Sequence, residues 1–409
     1  MGPKIVGAAS ALTVMVAACS GAPAASQRAT GSSAPSPVAT TRSPGPTAHP
    51  SGTAASGACA GTTRAVAYAR SALLAIQFVD AAAGWVVTGH GVIATTDGGA
   101  HWQPQLVRRI RYGAAVDFLD RDHGWVVADG ALLATSDGGQ HWTALAGHCP
   151  RISEVHFYSA RGGYAVTGDW RPSGTWRTGP LLRTGDGGRS WVQVAAPPQP
   201  QHVCLAAADH GWLAAAGKIY RTDDGARSWT LVEPGPRHRP GFTPGSALQC
   251  SGRRVAWAVI TGGAGMSQQA HTAFHLHGRQ STPIYAEGYF PHPGVHTDVS
   301  SPGSYAGPFS AVSATTAVFI DYCPACGAGT APLAMTVDGG HSLLRRGEIP
   351  GLTEATGASF VTGDEGWVIG VEQLWHNGHH IGERYRILRT DDSARHWTTQ
   401  YETTVDSGP

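Results

Sequence analysis

The sequence predicts an all-β fold: a seven-bladed β-propeller of four-stranded antiparallel blades, preceded by a disordered tether. One observation is a segment of the form "IQFVDAAAGWVV", which recurs around seven anchors spaced 40, 39, 48, 45, 61 and 49 residues apart. The other is a turn-rich octapeptide, first seen as "TTDGGAHW", which follows most anchors at a similar distance. A period of this size indicates a repeat fold in which each repeat is one supersecondary unit. The anchors are Trp85, Trp125, Tyr164, Trp212, Trp257, Val318 and Trp367.

Each repeat has the pattern of four short strands separated by turns. In the first repeat we predict strands at Ala75–Asp80, Gly84–Thr88, Gly91–Thr95 and His101–Gln105. Such runs are rich in Val, Ile and aromatic residues and are bounded by Gly and Asp, which is typical of strands, and no stretch has a sustained helical period. Four antiparallel strands in each of seven repeats predict a propeller over residues 61–405.

The octapeptide joins the third and fourth strands of a repeat, and its residue types indicate a structural turn. Thr95 and Asp97 can accept hydrogen bonds from backbone amides of the turn, Gly99 can adopt a left-handed conformation, and Trp102 can cover the apolar side of the hairpin. The other copies place the same roles on Thr135, Asp137, Gly139 and Trp142; on Thr184, Asp186, Gly188 and Trp191; on Thr222, Asp224 and Trp229; on Thr336, Asp338 and Gly340; and on Thr390, Asp392 and Trp397.

Three copies depart from the pattern, at Ala226, Leu343 and Ala394, and the fifth repeat, near Phe274, has lost the octapeptide. An enzyme has no need of the same site in repeat after repeat. The repetition therefore favours an architectural role over a catalytic one.

The consensus Ser/Thr-x-Asp-x-Gly-x-x-Trp resembles the Asp-box of BNR repeats. Residues 70–405 resemble the Asp-box propellers, which include sialidases, xyloglucan-cleaving glycosidases, sortilin-type receptors and photosystem II assembly factors. The preceding F-x-D-x-x-x-G-W-V-V segment is most similar to that of the assembly-factor group and its secreted bacterial relatives. Shared architecture does not transfer activity. The resemblance implies a non-catalytic binding or scaffold module, with a glycoside hydrolase of sialidase or xyloglucanase type as the alternative.

The enzyme alternative finds little support in the motifs. Sialidases have six blades and an Arg-Ile-Pro motif, whereas the nearest segments here, "PRIS" at residues 150–153 and "YRIL" at residues 385–388, lack the proline. Hydrolysis of a glycosidic bond needs two carboxyl groups a few ångströms apart across a cleft. Most aspartates already belong to the octapeptides, and no other pair stands out. We expect no catalytic residue.

The first sixty residues predict export and anchoring. Residues 1–18 resemble a secretory signal peptide, because Lys4 precedes an apolar run that is too short to span a bilayer. Cys19 in "VAAC" resembles the lipidated cysteine of a bacterial lipobox; the alternative is an ordinary signal peptide that ends near a cysteine. Residues 19–60 are dominated by Ala, Pro, Ser and Thr, which predicts a disordered linker. We therefore expect an extracytoplasmic protein, anchored by Cys19 to the outer face of the bacterial cell membrane.

A candidate binding face follows from propeller topology. The loops between second and third strands share one face with the connections between blades, opposite the octapeptides, and loops are where function usually resides. Trp and Arg dominate interface hot spots, although these tryptophans could instead pack the loops onto the blades. We expect a monomer that binds an envelope protein or glycan, and the net charge of +1 gives no electrostatic footprint for nucleic acid. The candidate residues are Arg108, Arg109, Arg111, Trp170, Arg171, Trp176, Arg177, Trp375 and His376.

The cysteines and histidines could form disulfides, a redox-active dithiol or a metal site. An even number of cysteines in an exported protein predicts disulfides, with fifteen possible connectivities. The "CPAC" motif at Cys323 and Cys326 favours a local clip over a redox dithiol, because it lacks a thioredoxin-like βαβ context. The histidines in "HNGHH" and "FHLHG" lack a carboxylate or cysteine at ligand spacing, so we expect no metal and no cofactor. The disulfide candidates are Cys59, Cys149, Cys204, Cys250, Cys323 and Cys326.

Overall fold

A computed structural model of the chain describes residues 72–111, 113–145, 151–170, 176–235, 244–265, 268–288, 301–323 and 330–406. All regular structure in these ranges is β-strand, and no helix there is long and apolar enough to cross a membrane. Several predictions fall outside the described residues: the signal peptide and linker, Cys19, Cys59, Cys149, Arg171 and Cys326.

The strands form seven four-stranded antiparallel sheets, and within each sheet neighbouring strands are consecutive in the chain. Blade 1 contains β1 (Leu73–Phe78), β2 (Gly84–Thr88), β3 (Gly91–Thr95) and β4 (Gln103–Val107). Blade 2 contains β5 (Ala114–Phe118), β6 (Gly124–Ala128), β7 (Ala131–Thr135) and β8 (Thr143–Ala144). Blade 3 contains β9 (Ile152–Phe157), β10 (Gly163–Trp170), β11 (Trp176–Thr184) and β12 (Val192–Gln193).

The remaining four blades follow the same order. Blade 4 contains β13 (Pro200–Leu205), β14 (Gly211–Ala215), β15 (Lys218–Thr222) and β16 (Thr230–Glu233). Blade 5 contains β17 (Gly245–Cys250), β18 (Val255–Gly265), β19 (Gln268–His277) and β20 (Gln280–Glu287). Blade 6 contains β21 (Tyr305–Ala311), β22 (Ala317–Tyr322), β23 (Thr330–Thr336) and β24 (Leu344–Pro350). Blade 7 contains β25 (Glu354–Phe360), β26 (Gly366–His376), β27 (His379–Thr390) and β28 (Thr398–Asp406). The seven-bladed propeller is confirmed.

In blade 1 the two middle strands have the predicted bounds and the two outer strands do not. The first strand ends at Phe78 rather than at Asp80, because the Asp80 carboxylate accepts hydrogen bonds from the amides of Ala82 and Ala83 and so caps the turn. The fourth strand begins at Gln103 rather than at His101, because the amide of His101 is held by Asp97 within the octapeptide turn. Local side-chain capping thus competes with ladder pairing at both places.

Aromatic residues pack several blades against the next. The ring of Phe118, at the end of β5, stacks on Trp85 of blade 1 with centroids 3.6 Å apart, and the octapeptide residue Trp142 packs edge-on against it at 6.1 Å. Phe157 of blade 3 packs in the equivalent way, stacked on Trp125 and edge-on to Trp191. The second-strand indoles also donate hydrogen bonds to octapeptide carbonyls of the following blade, from Trp85 to Gly138 and from Trp125 to Gly187. The hydrophobic core therefore lies between blades.

A second set of contacts links the innermost strands in a closed belt. The residue just before the last residue of each first strand reaches the following blade: Gln77, for example, accepts from the amide of Phe118 at 2.7 Å and donates to its carbonyl at 3.0 Å. Between blades 4 and 5 this link is covalent, a disulfide between Cys204 and Cys250. The other members of the belt are Asp117, His156, Gln249, Ser310 and Ser359.

The ring is closed by side chains between blades 7 and 1, not by a shared strand. Trp367 stacks on Phe78 with centroids 3.6 Å apart, and its indole Nε1 donates to the carbonyl of Gly98 at 3.0 Å. The Ser359 hydroxyl accepts from the amide of Phe78, and the Thr356 hydroxyl donates to the carbonyl of Leu73. The seam is therefore built from the same contacts as the interfaces between consecutive blades.

Candidate functional site

The alternating strand directions give the propeller two distinct faces. The loop face carries the connections between second and third strands and those between blades. The box face carries the connections between first and second strands and the octapeptide turns between third and fourth strands. In blade 1, His90 lies on the loop face and Asp97 on the box face. Each candidate site is assigned to one of these faces.

The octapeptides of six blades have the same hydrogen-bond geometry. The hydroxyl of Thr95 accepts from the amide of Gly99 at 2.9 Å and donates to Asp97 Oδ1 at 2.8 Å, and Asp97 Oδ1 accepts from the amide of His101. Gly98 and Gly99 have φ of 74° and 93°, in the left-handed region. The turns in blades 4 and 7 keep this geometry although Ala226 and Ala394 occupy the glycine position, with φ of 63° and 64°.

The protonation state of the octapeptide aspartates argues against acid–base chemistry. Hydrogen bonds from the His101 ring, the His101 amide and the Thr95 hydroxyl lower the pKa of Asp97 to about 2. In blade 7, hydrogen bonds from the His396 amide, the His396 ring and the Thr390 hydroxyl lower the pKa of Asp392 to about 2 as well. A general acid needs a pKa near the working pH. These carboxylates stay ionised near neutral pH and serve as hydrogen-bond acceptors.

We expect the substitution Thr184→Val to lower the free energy of unfolding by about 1–3 kcal/mol, because the buried amide of Gly188 would lose its acceptor. Thr184→Ser retains the hydroxyl and is the matched control. Denaturant unfolding of both variants measures the difference. If Thr184→Val abolished partner binding without changing stability, the octapeptides would be functional sites instead.

The loop face carries three hairpins that are longer than their counterparts. The second strands of blades 3, 5 and 7 have 8, 11 and 11 residues, against 5 in blade 1. The segment around Trp375 and His376 in blade 7 was predicted as a loop, but it is a hairpin paired up to His376 and His379. The hairpin turns through Asn377 and Gly378, which both have positive φ. Asn-Gly is favoured in such two-residue hairpin turns because both positions need positive φ. The long hairpin of blade 5 was not predicted, although the 61-residue spacing between the anchors Trp257 and Val318 indicated additional residues in this blade.

The candidate binding residues lie on the loop face in three separate blades. Trp375 and His376 end β26, and Trp170 and Trp176 pair at the open end of the blade 3 hairpin. Arg108, Arg109 and Arg111 follow β4. Arg177 is exposed in β11, and Arg171 lies outside the described residues. The shared face follows from the topology, and the binding role remains a prediction.

Trp375 and the basic connection, which is residues 108–111 between blades 1 and 2, are held in place by different contacts. The Trp375 side chain is 61% exposed and lies edge-on to the His380 ring, with centroids 5.4 Å apart. In the connection, Ile110 is fully buried and its amide donates to the carbonyl of Gly89, which leaves Arg109 and Arg111 exposed on either side. A paired strand thus presents the tryptophan, and the buried Ile110 holds the arginines on either side of it.

A carboxyl cluster on the loop side of blade 7 was also missed by the sequence analysis. Glu354 begins β25, and burial together with the charge of Glu383 raises its pKa to about 7. Tyr385, which is 5% exposed, donates a hydrogen bond to Glu383, and Gln373 donates a second at 3.3 Å. These residues are distant in sequence and meet only through strand register, so no motif marked them.

The cysteine and histidine predictions are tested in part. Cys204 pairs with Cys250, and Cys323 is also disulfide-bonded, while the local Cys323–Cys326 clip stays a prediction. No group of three or more His, Cys, Asp or Glu side chains within the described ranges is arranged to hold a metal ion. His275 instead packs on Trp257 and contacts the carbonyl of Ala314.

Comparison with known proteins gives the architecture a family context. The model of a family described as photosynthesis system II assembly factor YCF48 matches residues 111–235, which cover blades 2 to 4. The chain is a seven-bladed β-propeller whose octapeptide turns resemble those of BNR repeats. Over the matched segment it resembles this assembly factor. No curated protein matches the sequence.

Solved structures agree on the fold. A GH74 enzyme from Niastella koreensis is 11% identical, with 82% of this chain and 67% of that chain covered and a TM-score of 0.52. U3-55K is 12% identical, with 77% and 93% covered and a TM-score of 0.52. A structure of YCF48 bound to a D1 peptide is 16% identical, with 73% and 90% covered and a TM-score of 0.49. At these identities, the likeness to the GH74 enzyme and to U3-55K establishes a shared fold only.

Proposed function

We propose that the protein is a non-catalytic binding propeller of the cell envelope, anchored through Cys19, which captures an envelope protein or glycan on its loop face. The observation that carries the proposal is Trp375, a large aromatic side chain held 61% exposed on a paired hairpin of that face. Its exposure argues against a role in packing the hairpin onto the blade. A desolvated tryptophan is the side chain that most often dominates an interface.

Both ends of the described chain lie on the loop face. The described chain enters β1 at Leu73 from the loop face, and β28 ends at Asp406 on that face as well. A linker running from an acylated Cys19 would therefore leave the propeller beside blades 7 and 1, which carry Trp375 and the basic connection. The mass of the mature N-terminus tests the acylation.

The family match supports binding in preference to turnover, since the matched family is named for assembly. Exposed Arg109 and Arg111 favour an acidic protein segment or an anionic glycan as the partner.

We expect the substitution Trp375→Ala to weaken partner capture about thirtyfold, because truncating a hot-spot tryptophan costs about 2 kcal/mol or more. The mature protein would be titrated with solubilised envelope proteins and, separately, with purified envelope glycan. Val337→Ala is the matched control, since Val337 is 48% exposed in the octapeptide of blade 6 on the box face. Unchanged capture by Trp375→Ala together with loss in Val337→Ala would mean that the partner binds the box face.

A second function, glycoside hydrolysis, is favoured by one pair of carboxyl groups. Burial, together with the charge of Glu383, raises the pKa of Glu354 to about 7, so this group gains and loses its proton near neutral pH. A glycosidase uses one protonated and one ionised carboxyl. Glu383 is already bound by Tyr385 and Gln373, which places this function second. Release of reducing sugar from envelope glycan that is lost in Glu354→Gln would put it first.

A further inference from the structure

Blade 5 lacks the octapeptide, and the loss alters the interface with blade 4. Its third and fourth strands are joined by the short turn at Gly278 and Arg279, with His277 paired to Gln280. In blades 1 to 4 the octapeptide supplies a carbonyl to the second-strand aromatic of the preceding blade, as Gly225 does for the Tyr164 hydroxyl and Gly187 for the Trp125 indole. The short turn of blade 5 supplies no such acceptor.

Trp212, the second-strand aromatic of blade 4, shows the consequence. Its side chain is fully buried, yet its indole Nε1 has no hydrogen-bond partner among the described residues. The Arg221 guanidinium instead lies over the ring, 4.6 Å from its centroid. Because a buried donor normally finds a partner, the orphaned indole marks the place that the octapeptide fills elsewhere.

A cavity of about 390 Å³ is present at this place on the box face, between blades 4 and 5. Three guanidinium groups line it, together with two imidazoles and a single carboxylate. The side chains concerned are Arg221, Arg254, Arg279, His210, His277 and Asp223. With the histidines neutral, the lining carries an excess of two positive charges.

Arg221 is the buried arginine of the cavity, and Asp223 fixes its position. Its side chain is 5% exposed, and its Nε and Nη2 lie 2.8 and 2.7 Å from Asp223 Oδ1. The second amino group, Nη1, is buried and has no partner in the described part of the chain. Asp223 also lies 3.5 Å from Arg279 Nη2, so one carboxylate is shared between two guanidinium groups. An arginine fixed on one edge and unpaired on the other is prepared for a further acceptor.

We propose that this cavity is an oxyanion-binding site, which takes a carboxylate or a phosphate group between Arg221, Arg254 and Arg279. The ligand oxygens pair with the exposed guanidinium groups of Arg254 and Arg279, beside the buried Arg221, and offset the excess positive charge of the lining. Guanidinium groups suit both oxyanions because their planar donors match the oxygen geometry. The site lies on the face opposite Trp375 and is independent of partner capture there.

Calorimetric titration of the mature protein at low ionic strength tests the site. The probes are inorganic phosphate, a short peptide with a free C-terminal carboxylate, and the same peptide as its C-terminal amide. We expect saturable binding of one phosphate or one free-acid peptide per chain and none of the amide. Binding of phosphate alone identifies a phosphate ligand, and binding of the free-acid peptide alone identifies a chain-terminal carboxylate.

Variants then assign the binding to the cavity. Arg254→Gln and Arg279→Gln change exposed side chains and should each weaken binding at least tenfold, since a hydrogen bond to a charged group has about that effect. Arg189→Gln is the matched control, because Arg189 is exposed in the blade 3 octapeptide and does not line the cavity. The proposal is overturned if no probe binds saturably, or if Arg189→Gln weakens binding as much as Arg254→Gln and Arg279→Gln do.

Discussion

Replacing Trp367 with alanine should lower the free energy of unfolding by about 3–5 kcal/mol, the usual cost of truncating a buried tryptophan. The side chain is fully buried at the seam between blades 7 and 1. The substitution removes its stack on Phe78 and leaves the carbonyl of Gly98 without the indole donor. Denaturant unfolding of the purified variant measures the loss.

The seam differs from the other interfaces in chain connectivity, which makes a matched comparison possible. Trp85→Ala removes the equivalent stack, on Phe118, between blades 1 and 2, which are consecutive in the chain. Trp367→Ala should therefore be the variant that exposes the edges of blades 1 and 7 to hydrogen exchange and proteolysis. Equal protection of those edges in both variants would contradict the view that this contact closes the ring.

The sequence was most informative where one residue type performs one task in every blade. The octapeptide Thr and Asp positions and the second-strand tryptophans could be predicted because the same turn and the same interface recur. Strands β2 and β3 had the predicted bounds for the same reason, since their ends are set by Gly84, Gly91 and the octapeptide.

Other features depend on position and not on residue type. The belt uses an amide in Gln77, a carboxylate in Asp117, an imidazole in His156 and a hydroxyl in Ser359 for the same link, so no sequence pattern reveals it. The proposed anion site escaped the sequence analysis because its arginines come from different strands and turns. The one sequence feature that could have indicated the site was the missing octapeptide near Phe274.

Removing the disulfide by the double substitution Cys204→Ala and Cys250→Ala should produce the second large loss, up to about 4 kcal/mol. The two cysteines are 46 residues apart, and the chain-entropy account of a cross-link gives about that value for a loop of this length. Unfolding of the oxidised parent and the double variant under the same conditions measures the effect.

The interface that this disulfide spans is the reason to expect the full effect. Between blades 4 and 5, the indole of Trp212 finds no acceptor among the described residues, unlike its counterparts Trp85 and Trp125, and the octapeptide of blade 5 is missing. The covalent belt link thus stands at the interface where the octapeptide contact is missing. Gln77→Ala removes the equivalent non-covalent link between blades 1 and 2, where the aromatic stack remains, and should cost less. A double cysteine variant as stable as Gln77→Ala would mean that the cross-link does not compensate for the missing octapeptide.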